Sequence, residues 1–133
     1  MYKIMDREEI EALGASLRPI DQKLLKKNGN IQRLWYQGEE SYFDIFFEVQ
    51  NNEILWFQFT FRGQVLVWDK QNPVMQTGTT NELGMGDVGY YAASKLIKLD
   101  IKTDQYFIKL TRSILQTRAG EDIFDRVLTL FKD

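Results

Sequence analysis

The chain has 133 residues, of which 44% are hydrophobic and 27% are charged, and its formal net charge is −2. These values are typical of one soluble globular domain, here residues 1–133, and they disfavour nucleic-acid and membrane-surface binders, which need an excess of cations. Because the chain contains neither cysteine nor histidine, disulfides, thiol catalysis, Ser-His-Asp triads and zinc sites built on those side chains are excluded. We therefore predict no cofactor and no metal site.

The N-terminal residues predict a helix and no targeting signal. Charged residues begin at Lys3, so the apolar stretch of a signal peptide is missing, and we expect a cytoplasmic protein. Asp6 is placed to cap a helix with acidic residues in its first turn. Pro19 interrupts this helix, and its apolar face is expected to continue from Ile20 to the stop signal Asn28-Gly29.

The middle of the chain alternates between apolar and polar residues, which is typical of strands. We predict four strands, over residues 31–37, 42–50, 54–62 and 65–69. Their apolar positions share one side of the sheet, which we call the first face. The residues expected to be buried there are Phe43, Ile45, Phe47, Phe57, Phe59, Phe61 and Trp68.

Two turns determine how these strands pair. A three-residue loop at Asn51-Asn52-Glu53 pairs Phe47 with Phe57 and keeps the first face apolar. A two-residue turn at Asn51-Asn52 would instead place Phe47 opposite Trp56 and mix apolar with polar positions. We therefore predict the three-residue loop, followed after the third strand by a type II′ turn at Gly63-Gln64.

Beyond the fourth strand the patterns weaken. Residues 71–86 are rich in Thr, Gly, Asn and Gln and predict a long loop, a kind of segment that often carries a function. We expect a short helix over residues 87–95. Residues 97–102 alternate strictly and predict a fifth strand, with an extension of the preceding helix as the alternative.

The C-terminal part of the chain predicts two helices. The first begins at Thr103 or Asp104 and is closed by Gly120, and the second covers residues 121–132. Together with the strands, these elements predict an α+β fold. It is an antiparallel four- to five-stranded meander sheet packed against N-terminal and C-terminal helices.

The predicted loop contains the most motif-like string of the chain. Gly84-Met85-Gly86-Asp87-Val88-Gly89 has the G-x-G-x-x-G spacing of phosphate-binding turns. No strand directly precedes these glycines and no βαβ unit surrounds them, so we favour a flexible loop that enters a helix over nucleotide binding. The candidate ligand residues of this loop are Thr79, Asn81, Gly84, Gly86 and Asp87.

The other side of the sheet, the second face, mixes aromatic residues with polar and charged ones. Three explanations are open: a helix of the same chain covers it, it is an interface with a partner or a second copy, or it is a ligand face. The residues we single out as its partner-binding surface are Arg33, Trp35, Phe46, Trp56, Gln58 and Arg62. We expect Trp56 and Arg62 to point the same way from one strand.

These observations favour a binding protein over an enzyme. The sequence shows no nucleophile signature and gives no positive support for catalysis. The leading hypothesis is a non-enzymatic cytoplasmic protein–protein interaction or adaptor module that uses the second face. Its partner is another protein or a second copy in a homodimer, and not nucleic acid or a membrane. The alternative is a small-ligand-binding domain or small enzyme that uses the Thr/Gly-rich loop 76–89.

Overall fold

Strands that follow one another in the chain also lie side by side in space. The computed structural model describes residues 5–20, 30–80 and 97–131, and within these ranges seven strands form one sheet in the order β1 to β7. Every neighbouring pair is antiparallel. The elements are α1 (Arg7–Ser16), β1 (Arg18–Pro19), β2 (Gln32–Gln37), β3 (Asp44–Gln50), β4 (Glu53–Phe61), β5 (Gln64–Asp69), β6 (Asn72–Thr80), β7 (Ile97–Leu99), α2 (Gln105–Gln116) and α3 (Asp122–Leu128).

The α+β class and the antiparallel meander are therefore confirmed, but the predicted number of strands is wrong. The sheet has seven strands rather than four or five, because β1 and β6 were not predicted. β6 occupies residues 72–80, all of which belong to the predicted long loop over 71–86. Polar strands of this kind lack the apolar alternation that reveals a strand, yet their backbone pairs equally well.

The segment after α1 is extended and does not continue the helix. Arg18 and Pro19 pair with the last residues of β2, and Ile20 donates its N–H to the carbonyl of Trp35 at 2.8 Å. Proline has no N–H to give to a sheet, so it is tolerated on an edge strand such as β1. The predicted continuation of the helix past Pro19 is therefore wrong at Ile20, and residues 21–29 lie outside the described part.

The β3–β4 hairpin has the predicted core pairing but a different turn. Phe47 lies opposite Phe57, as predicted. The turn has only two residues, Asn51 and Asn52, with φ angles of 52° and 65°, as a type I′ turn requires. Pairing shifts beyond Val49, and Leu55 is left as an extra residue in β4. This β-bulge restores the apolar register that the shorter turn alone would break.

The next hairpin turns one residue earlier than predicted. Arg62 and Gly63 are its two central residues, with φ angles of 50° and 80°, and Phe61 pairs with Gln64. The predicted turn at Gly63-Gln64 is therefore wrong by one position. Leu66 still lies opposite Phe59 on the first face, so the core is unaffected, whereas Arg62 becomes a turn residue.

The core lies between the first face and the helices. All seven residues predicted to be buried there are at most 7% exposed. Phe107 and Ile114 of α2 and Phe124 and Val127 of α3 are completely buried in the same cluster. α2 begins where the sequence predicts, because the Asp104 carboxylate accepts the N–H of Phe107 at 3.0 Å and caps the helix. The predicted strand over 97–102 is confirmed for residues 97–99, which form β7, whereas residues 100–102 lie outside any strand. The predicted helix over 87–95 lies outside the described residues.

Arg118 joins α1 to the connection between α2 and α3. Its guanidinium donates to the carbonyls of Gly14 and Leu17 at the end of α1, forms a two-pronged ion pair with Glu121, and lies 4.8 Å from the ring centre of Phe124. The last carbonyls of a helix lack their full set of helical partners, so a cation there supplies hydrogen-bond donors and also complements the negative end of the helix dipole. We call this group the Arg118 clamp.

The Arg118 clamp makes the free energy of unfolding depend on pH in the acidic range. The hydrogen bond from Arg118 lowers the pKa of Glu121 below its usual 4.5, with burial opposing the effect. The stabilisation is therefore fully present above the unfolded pKa and is lost as the pH falls through the folded pKa. We expect the difference in unfolding free energy between the wild type and Glu121→Gln to shrink as the pH falls below 4.5. Urea denaturation at a series of pH values measures this difference, and a constant gap down to the acid limit would contradict the assignment.

Candidate functional site

The second face brings five aromatic and charged side chains together on β2, β3 and β4. Trp35 lies opposite Phe46, and the two rings stack with centroids 5.1 Å apart and planes 12° from parallel. In the next row, Arg33 of β2 lies opposite Glu48 of β3, which lies opposite Trp56 of β4. We call these five residues the aromatic–arginine patch.

An ion pair lies at the centre of this patch. Arg33 donates its Nε–H to the Glu48 carboxylate at 3.0 Å, and the two side chains are 40% and 28% exposed. Among residues 5–20, 30–80 and 97–131, this is the one hydrogen bond that the Arg33 guanidinium makes. Trp35 and Trp56 are half-buried on either side of the pair. The patch therefore combines two partly exposed tryptophans with a partly exposed ion pair.

The second face is buried near its middle and partly exposed at four of the five patch residues. Its central polar residues are Asp44, Gln58 and Thr60, and each is at most 3% exposed. Val65, opposite Thr60, is also buried, although neither it nor Phe46 belongs to the core cluster formed with the helices on the first face. The central residues are thus shielded, whereas Arg33, Trp35, Glu48 and Trp56 are partly exposed.

Most of the predicted partner-binding residues share this face. The sequence alone did not determine which face of β2 carries Arg33 and Trp35. The strand register places both on the second face, beside Phe46 and Trp56, and Gln58 lies opposite Phe46. Gln58 and Phe46, which are 2% and 4% exposed, are too deeply buried to meet a partner directly, so the contribution of Phe46 to the patch is to support the ring of Trp35. Glu48 is the one member of the patch that is not predicted from the sequence as a partner-binding residue. Its charge is opposite to that of Arg33 on the neighbouring strand, and this possible cross-strand ion pair could have identified it.

Arg62 does not lie on the second face. As a turn residue with a positive φ it no longer follows the alternation of β4, so the predicted common direction with Trp56 is wrong. Its guanidinium pairs with both oxygens of Glu40, at 2.8 and 3.0 Å, and lies 4.6 Å from the ring centre of Phe61. Arg62 thus belongs to the opposite end of the sheet from the patch, because the turns of a meander alternate between its two ends.

Of the five candidate residues of the predicted ligand loop, only Thr79 lies in the described part of the chain. Thr79 is not in a loop: it lies in β6, opposite Gln64 on one side and Lys98 on the other. Its neighbour Thr77 is buried, and its hydroxyl donates to Asp100 and accepts the N–H of Asp104. The remaining candidates, Asn81, Gly84, Gly86 and Asp87, lie outside the described residues.

Residues 5–20, 30–80 and 97–131 contain no group of three or more acidic side chains placed to hold a metal ion. In the same ranges, no helix has the length and apolar character required to cross a membrane. When the chain is compared with protein-family models, with curated proteins and with solved structures, none of them matches it.

Proposed function

We propose that this protein is a non-enzymatic protein-interaction module and that the aromatic–arginine patch is its binding surface. The observation that carries the proposal is the position of two half-buried tryptophans on either side of the Arg33–Glu48 pair. Tryptophan and arginine dominate the binding energy of protein interfaces, since they combine large apolar area with directional hydrogen bonding. A rigid sheet holds these side chains in place, which reduces the entropy lost on binding.

The partner in this proposal is another protein or a second copy of the chain. Indole rings can fill apolar pockets of a partner, and the terminal nitrogens of Arg33 can bind one of its carboxylates. Glu48 within the patch and the net charge of −2 disfavour nucleic acid. A cytoplasmic adaptor role is part of the proposal, supported by the cysteine-free composition.

We expect Trp56→Ala to weaken binding without unfolding the protein. Truncation of an interface tryptophan costs about 2 kcal/mol or more, which is roughly a 30-fold loss of affinity. Sedimentation velocity over a concentration series measures self-association, and quantitative capture of a bound partner measures heterologous binding. Val74→Ala is the matched control, because Val74 is 51% exposed on β6 and lies outside the patch.

A charge exchange separates an interface from a purely structural ion pair. Arg33→Glu alone opposes Glu48 with a like charge, whereas Arg33→Glu combined with Glu48→Arg restores an intramolecular pair in reverse order. If the patch binds a partner, the double variant recovers its melting temperature but not its affinity. If affinity returns together with stability, or if Trp56→Ala lowers only the melting temperature, the patch is not the binding surface.

A further inference from the structure

A groove opens at the end of the sheet opposite the patch, between α1 and two sheet turns. Its volume is about 380 Å³. Met5, Ala12 and Leu13 form the apolar part of its lining. Met5 and Leu13 also pack against the core, so this lining is fixed to the body of the domain. The groove is thus a second concave surface, independent of the aromatic–arginine patch.

Hydrogen bonds hold the two walls of the groove together. Ser16, at the end of α1, donates its hydroxyl to the carbonyl of Leu13 at 2.8 Å and accepts the N–H of Glu39 at 3.3 Å. Glu39 and Glu40 belong to the connection between β2 and β3, and Arg62 reaches Glu40 from the β4–β5 turn. Each wall therefore has a fixed position relative to the other, as a binding groove requires.

The charge at this groove is negative. Arg62 neutralises one carboxylate, that of Glu40, with both oxygens engaged. The remaining lining acids, Glu9 and Glu39, form no ion pair with any residue in the described ranges. The hydrogen bond to Glu40 raises the pKa of the Arg62 guanidinium, against the effect of burial, and the charge of Glu9 adds to the rise. The charges of Glu9 and Arg62 therefore interact across the groove that both residues line.

We propose that this groove binds a lysine or arginine side chain within an aliphatic segment of a partner protein. The methylene stem of such a side chain packs on apolar surface while its charged head remains near solvent and carboxylates. Met5, Ala12 and Leu13 provide the apolar surface, and Glu9 and Glu39 provide the carboxylates. The same two acids repel phosphate and carboxylate ligands.

Three labelled nonapeptides test this proposal by fluorescence anisotropy. One alternates lysine and leucine, the second alternates glutamate and leucine, and the third alternates lysine and serine. We expect the lysine–leucine peptide to bind most tightly, because it alone matches both the charge and the apolar surface. Equal binding of the glutamate–leucine peptide, or no saturable binding of the lysine–leucine peptide, would overturn the proposal.

Variants of the groove give opposite expected shifts. Glu9→Gln combined with Glu39→Gln removes two carboxylates and should weaken the lysine–leucine peptide roughly three- to tenfold. Arg62→Met leaves Glu40 without its cation and should strengthen the same peptide, a gain that damage to the fold would not produce. Glu8→Gln combined with Glu11→Gln is the control, since it removes the same charge from exposed positions of α1 outside the groove.

The outcomes of these variants are independent of the patch. If all three variants bind the peptide alike, the peptide does not occupy the groove and the proposal is wrong. A loss of binding in Arg62→Met, with its melting temperature unchanged, would contradict it equally. Trp56→Ala should leave peptide binding intact, so a failure of the proposed patch and a failure of the groove give different results.

Discussion

Replacing Phe59 with alanine is expected to lower the free energy of unfolding by about 3–5 kcal/mol. Phe59 is completely buried at the centre of β4, between Ile45 of β3 and Leu66 of β5. Its ring lies 5.9 Å from that of Phe43 and 6.0 Å from that of Phe107 in α2. The truncation therefore removes contacts between the sheet and a helix as well as contacts within the sheet, and it leaves a cavity that close packing cannot fill.

Urea denaturation measures this loss directly. A domain of this size has a total stability of about 5–15 kcal/mol, so the variant should unfold at a much lower urea concentration. Phe59→Leu is the control, because it keeps most of the apolar volume and should lose clearly less. A loss below about 1 kcal/mol for the alanine variant would show that Phe59 is not at the centre of the core.

Replacing Arg118 with methionine is the second change with a large expected effect. It removes the Arg118 clamp and leaves the carbonyls of Gly14 and Leu17 without this donor. Hydrogen bonds to charged groups contribute about 1.5–3 kcal/mol each, and methionine retains the apolar stem, so we expect a loss of about 2–4 kcal/mol. α1 packs closely against the end of α2 at this point, since a Cβ added at Gly14 would lie 1.7 Å from the Thr117 hydroxyl.

Arg126→Met provides the comparison for this prediction. Arg126 forms an ion pair of 3.0 Å with Asp122 one turn earlier on α3, and the acid is 80% exposed. Exposed pairs of this type contribute about 0.3–0.5 kcal/mol. The loss of unfolding free energy, measured by thermal and urea denaturation, should therefore be several times larger for Arg118→Met than for Arg126→Met. Equal losses would mean that the clamp is an ordinary surface ion pair.

The sequence predicts the core of this fold well, because a strand buried on one face has an apolar residue at every second position. Phe43, Phe47 and Phe59 are placed correctly on the first face although the predicted turns beside them are wrong. Only one register keeps that face apolar, so the apolar pattern determines the pairing whatever the turn. The turn itself depends on positive φ angles at Asn51 and Asn52, which either loop length would have allowed.

β6 could not be predicted in the same way, because Thr77, the side chain of this strand that is fully buried, is polar. Thr77 is buried only since its hydroxyl bonds with Asp100 and with the N–H of Asp104, which are 23 and 27 residues further along the chain. Such partners become visible only once the sheet and α2 are assembled. A buried threonine with distant partners has the same local sequence as a threonine in a loop.

The candidate site was predicted in part, for a related reason. Trp56 and Phe46 lie inside strands, so alternation places them correctly on the second face. Arg62 follows the end of β4 directly, and a shift of one residue in the turn was enough to move it to another surface. A one-residue error in the position of a turn leaves the residues in the middle of the strand on their predicted face, but it moves a residue at the end of the strand to another surface.

The bulge at Leu55 has a consequence for how this protein tolerates changes in length. Without Leu55, the pairs Gln50–Glu53, Val49–Ile54 and Glu48–Trp56 would follow one another as in a regular two-residue hairpin. A deletion of this single codon would therefore leave every downstream partner unchanged. Deletion of a regularly paired residue in the middle of β4 would instead exchange the two faces of part of the strand. Insertions and deletions in descendants of this chain should accordingly accumulate at Leu55 and spare the rest of the hairpin.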